Sequence, residues 1–172
     1  MDRRRLIPTI AGLMLCTGAF AQQPVSPQPP AAAAPAAVQP AIEQLTPEQR
    51  AALARQDADM TQAALQVLQL VDANRIGEVW DGASEAMKRM VPRDEFIRQV
   101  TIDRNRLGAV GTRSAPEVTR SLFRQGQQVP EGLYINVRSA TTFAGNGEPV
   151  RELVSFRLDE DRVWRVSGYS LR

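Results

Sequence analysis

Arg104 and Glu152 are the two residues whose type and position invite chemistry. Phe96, Ile97, Val100 and Leu107 recur at helical spacing, and the same stripe runs through Arg104. Val150, Val154, Phe156 and Leu158 alternate along a strand, and Glu152 falls on their apolar face. A lone charge on a buried face is costly, so each needs a partner. The economical expectation is that the two meet as a charge-assisted pair inside the fold, within the ~4 Å that defines an ion pair. One reading makes them a polar pocket, with Glu152 as acid/base or Arg104 as an anion anchor. The other makes them a structural ion pair that fixes helix against sheet, and it is preferred. Asp103, one step off the stripe, is expected to be solvated.

Aromatic residues allow the same two readings. Trp80, Phe96, Tyr134, Phe143, Phe156, Trp164 and Tyr169 can line a ligand pocket or fill a core, and core is the commoner role. Trp80 is expected at the centre of its helix stripe, packed towards the concave face of a sheet near Trp164 or Tyr169. A buried Tyr169 hydroxyl would need a hydrogen-bond partner.

Composition closes several chemistries. The chain has no histidine, and its only cysteine is Cys16. Neither a Ser-His-Asp nor a Cys-His arrangement can form, and no Cys or His set is present for zinc. No catalytic residue, metal or cofactor is assigned. Lys88 is the one lysine among 21 basic residues, and its place between Met87 and Met90 reads as helix surface.

The elements that position these residues follow from pattern. Thr46 is a good N-cap with Pro47 behind it, and Met60, Ala64, Val67, Leu68 and Val71 form one apolar stripe ending near Asp72. Ile76, Val79, Trp80, Ala83, Met87, Met90 and Val91 read as a second amphipathic helix. Pro92 ends it and opens a third, which Gly108 stops. Beyond Gly108 the period shortens. Leu133, Ile135, Val137 and Phe143 alternate, Gly145-Asn146-Gly147 signals a hairpin, and Asp159-Glu160-Asp161 turns between two further strands. A less distinct strand lies within residues 110–123. Arg138, Arg151 and Arg157 alternate outward and mark the solvated side of the sheet. Helices followed by hairpin-linked strands give an α+β domain over residues 46–172, helices packed on a curved antiparallel sheet.

The N-terminal part reads differently. Arg3, Arg4 and Arg5 precede an apolar run over residues 6–16, then Ala19-Phe20-Ala21, the layout of a secretory signal peptide over residues 1–21. The run is shorter than the ~20 residues that span a bilayer, so no transmembrane span is expected in the mature chain. Bulky Leu15 before Cys16 argues against a lipid anchor, and the arginine run leaves general secretory and twin-arginine export both open. Residues 22–45 are rich in Pro and Ala and read as a disordered linker. Removing residues 1–21 takes three of the 21 basic and one of the 19 acidic residues, leaving eighteen of each. That balance gives no electrostatic case for nucleic acid.

Four pieces, "VWDGAS" (79–84), "RNRLGAVGTR" (104–113), "PEGLYINVRSATTFA" (130–144) and "VWRVSGYSL" (163–171), resemble in order and spacing a bacterial exported family, domain of unknown function family 4019. The resemblance implies export and an NTF2-like, cystatin-like cone, and it implies no catalytic residues. Cone folds host both enzymes and binding modules. The favoured function is therefore an exported, non-catalytic domain, periplasmic or secreted, that binds a small ligand or protein partner of the cell envelope, with a homodimer left open. The alternative is a small hydrolase or isomerase using Glu152.

Overall fold

The computed structural model describes residues 45–172 together with a two-residue strand, β1 (Ala36–Ala37). The expected signal peptide and most of the Pro/Ala-rich segment lie outside the described residues. Four helices precede the main sheet: α1 (Pro47–Asp72), α2 (Ile76–Asp81), α3 (Glu85–Met90) and α4 (Arg93–Leu107). Five strands follow: β2 (Val110–Arg113), β3 (Glu117–Phe123), β4 (Gly132–Phe143), β5 (Asn146–Leu158) and β6 (Trp164–Leu171). The architecture is α+β, helices followed by a curved, unclosed antiparallel sheet in the order β1-β3-β4-β5-β6. β2 pairs the far end of β4, so β2 and β3 share one side of that strand.

α1 begins with a full capping box. The Thr46 hydroxyl accepts from the Gln49 amide, and the Gln49 side chain accepts from the Thr46 amide at 2.8 Å. Its buried residues, Ala64, Val67, Leu68 and Val71, all lie in the C-terminal half. They join Ile76, Val79, Ala83, Met87, Phe96 and Val100 from the other helices, and Val137, Val154, Phe156 and Val166 from the sheet, in one core.

The helix expected over residues 76–91 is in fact two. At Ala83 and Ser84 the backbone leaves the helix to meet β6: Ala83 bridges Val166, and the Ser84 amide donates to the Val166 carbonyl at 2.8 Å. Ser84, fully buried, then caps α3 by accepting from the Met87 amide at 3.2 Å. The apolar spacing carries through the break, so periodicity alone does not reveal it. Trp80 also differs from expectation. Ile76 and Val79 hold the buried centre of α2, while Trp80 is half-buried on its flank. Its indole N–H donates to the Val91 carbonyl at 2.9 Å, and the Lys88 ammonium lies 5.5 Å from its ring centre. Trp80, Trp164 and Tyr169 all pack against the main core.

α4 is pinned to the β4–β5 hairpin by two glycines. Gly108 takes φ 77°, and the Gly145 amide donates to the Leu107 carbonyl at 2.9 Å. A Cβ on Gly145 would stand 2.9 Å from that same carbonyl oxygen, so only glycine fits the approach. The hairpin turn falls at Ala144-Gly145, one residue ahead of the centre of the Gly-Asn-Gly signal.

The outer face of the sheet is not uniformly solvated. Arg138 and Arg151 are exposed as expected, but Arg157 is buried. The segment between β3 and β4 folds back over that end. Arg157 donates to the Glu131 carbonyl at 2.9 Å and to Asp159 at 2.8 Å. Beside it Tyr134, also buried, donates to the Pro130 carbonyl at 2.8 Å and stands edge-on to Phe123. Alternation placed Arg157 on the correct face; the covering loop made that face an interior.

Candidate functional site

Glu152 is the most buried ionisable side chain of the core, 1 % exposed. It points from β5 into the concave side, where alternation with Val150 and Val154 puts it. The sheet cannot place a carboxylate there without donors, and four elements supply them. Arg113, the last residue of β2, donates from Nε to Oε2 at 2.7 Å. Thr141 on β4 donates its hydroxyl to Oε2 at 2.9 Å. Tyr169 on β6 donates to Oε1 at 2.7 Å. Arg104 on α4 brings Nη1 to 3.6 Å from Oε1, an ion pair without a hydrogen bond.

A second carboxylate completes the cluster. Asp72, the last residue of α1, accepts from Arg104 Nη2 at 2.7 Å and from both Arg113 amino groups at 2.8 and 2.9 Å. Two carboxylates therefore face two guanidiniums, and the group is neutral as a whole. The Arg104 guanidinium also lies 4.7 Å from the centre of the Phe143 ring, a cation–π distance. Burial opposes the Arg113 charge, but hydrogen bonds to Asp72 and Glu152 outweigh it and raise its pKa. Burial, and then the neighbouring Glu152 charge, push the Tyr169 phenol far above its ordinary range. The phenol thus stays protonated and serves as a donor.

The structure brings Arg104, Glu152 and Tyr169 together. It keeps Trp80 and Trp164 in the wider core and Tyr134 on the opposite face of the sheet. Arg104 and Glu152 meet, but neither is the other's principal partner: Arg104 leans on Asp72, and Glu152 on Arg113. Arg113, Asp72 and Thr141 were not singled out from sequence. Thr141 had a signal, since it alternates with Phe143 and Val137 on the inward face. Asp72 looked like an ordinary helix stop. Arg113 ends a strand of four residues, too short to show alternation.

Next to this cluster a cleft of 420 Å³ opens between α4 and β6. Val91, Phe96, Val100 and Leu171 give it an apolar floor, and Tyr169 forms part of its wall. Glu95, Gln99 and Asp103 line the α4 side. Asp103, expected to be solvated, is half-buried there. Among the described residues, no group of three or more acidic, His or Cys side chains is arranged to hold a metal ion, and no helix is long and apolar enough to cross a membrane.

A family model described as "Protein of unknown function (DUF4019)" matches residues 63–169. That span contains every member of the cluster and all of the cleft but Ser170 and Leu171. No curated protein and no solved structure matches the chain.

Proposed function

We propose, from the premise that the chain belongs to the family of proteins of unknown function DUF4019, that it is a non-catalytic binding domain of the cell envelope. It takes a ligand or protein partner on an NTF2-like cone. One observation supports the non-catalytic reading above others. Glu152, the acid/base candidate singled out in the interior, is 1 % exposed and already accepts from Arg113, Thr141 and Tyr169. A general base needs a lone pair within reach of a substrate proton. A second, longer bond from Arg113 Nη2 to Oε1 at 3.4 Å occupies its fourth acceptor position, and Glu152 has no access to a substrate. The raised Tyr169 phenol is likewise a poor acid near neutrality. The adjoining cleft, within the 300–1,000 Å³ typical of ligand sites, offers room for binding without a reacting group.

Export is part of the same proposal and is supported by the basic start, the short apolar run and the Ala19-Phe20-Ala21 site. Both parts are tested on protein from a cell-envelope fraction. Edman sequencing should begin at Gln22; a lipid-modified Cys16 would contradict a soluble envelope protein. The same preparation should show no ester, glycoside or peptide hydrolysis above buffer. A turnover abolished by Glu152→Gln with the circular dichroism spectrum retained would overturn the non-catalytic reading.

A further inference from the structure

The α4–β6 cleft has a feature that a small-molecule pocket does not need: an open sheet edge. β6 is the last strand in the sheet order, bonded to β5 on one side only. Its start is occupied on the other side by Ser84, which bonds Val166. Its end is not. Arg172 and Arg151 exchange both backbone hydrogen bonds, at 2.9 and 2.7 Å. In an antiparallel ladder successive residues alternate between facing the neighbour and facing away. Leu171 and Tyr169 therefore turn their N–H and C=O groups outward, and no other described residue bonds them there. Both residues line the cleft.

Two further observations narrow the occupant. The floor under that edge is apolar, made by Phe96, Val100 and Leu171. The facing wall has carboxylates and no cation. Glu95 is held by Arg98, but Asp103 accepts only from the neutral Gln99 amide, at 3.2 Å, and has no cationic partner among the described residues. We propose that the cleft docks an extended peptide segment of a partner protein. Its backbone would add to β6 at Tyr169 and Leu171, and the side chains facing the cleft would alternate apolar with basic. Strand addition supplies backbone affinity, and the side chains on one face supply selectivity. The Pro/Ala-rich segment of the same chain fits poorly, because residues 22–42 contain no Lys or Arg and Ala36–Ala37 pair with β3 on the opposite side of the sheet.

This inference deepens the binding reading and rests on it. The test uses the mature chain, ¹⁵N-labelled, with the peptide acetyl-Thr-Val-Thr-Lys-Thr-Val-Thr-amide at low salt. Saturable amide shifts should centre on Tyr169 and Leu171. Replacing the peptide's lysine with glutamate, or making Asp103→Asn in the protein, should weaken binding by about tenfold, roughly 1.4 kcal/mol. N-methylating alternate peptide residues, in the register that faces β6, should abolish it. Equal binding of both N-methylated registers would overturn strand addition and leave a site for cationic amphiphiles. Shifts at Tyr169 and Leu171 that instead follow protein concentration, with dimers in sedimentation, would assign the edge to a second copy and overturn the peptide. Mass spectrometry separates the two readings. Intact peptide with saturable binding supports both; bound but cleaved peptide supports docking and overturns non-catalysis; absence of binding overturns docking alone.

Discussion

Asp161 shows how a single exposed carboxylate reports the order of a turn. It sits between β5 and β6, where Arg165 donates to it at 2.7 and 2.8 Å and the Val163 amide at 3.2 Å. The Arg165 hydrogen bonds hold its pKa down to about 2, below the ordinary 3.8. A depressed carboxylate stabilises the fold above its unfolded pKa, and that contribution disappears as pH falls through the folded value. The turn should therefore keep its ion pair down to about pH 2. A carboxyl-detected NMR titration should place Asp161 near that value, and a midpoint at 3.8 would mean the pair does not persist in solution. At this scale the sequence was partly legible. Arg104 and Glu152 stood out because each interrupts an apolar stripe with a charge. Arg113 and Asp72 did not, because the first ends a short strand and the second ends a helix and reads as an ordinary stop. Arg157 was misjudged through the surroundings of its face, since alternation says nothing of a loop that folds over it.

The elements were more legible than their joints. Thr46-Pro47 marks the start of α1 and Gly108 the end of α4, because a cap and a left-handed glycine are local requirements. β4, β5 and β6 declare themselves by alternation, whereas the less distinct strand within residues 110–123 is two strands, β2 and β3. The break between α2 and α3 was hidden, because it is made by a bond to β6, more than eighty residues further along the chain. Ser84 is where that joint is fastened. Its hydroxyl accepts from Met87 while its amide reaches Val166. Ser84→Ala removes the cap and keeps the backbone bond, and should cost about 1–2 kcal/mol in urea unfolding, as loss of an N-cap does. An unchanged midpoint would show that α3 depends on packing alone.

Across the whole molecule, the ionic cluster ties two helices to four strands of the sheet. Asp72 comes from α1, Arg104 from α4, Arg113 from β2, Thr141 from β4, Glu152 from β5 and Tyr169 from β6. Its position between helices and sheet makes it a clamp of one on the other. Its charges balance, and Arg104 Nη1 is its one buried donor without a hydrogen bond among the described residues. A buried pair adds little net stability compared with an apolar substitute, but removing one partner strands the other in the core. That asymmetry defines the most direct test, a double-mutant cycle on Arg113→Met and Glu152→Gln followed by equilibrium unfolding. Each single variant should lose about 3 kcal/mol, and the double variant should recover much of the loss, giving a coupling of about 2–3 kcal/mol. Additive losses, with a coupling below about 0.5 kcal/mol, would contradict a structural clamp and return Glu152 to the list of groups held ready for a substrate.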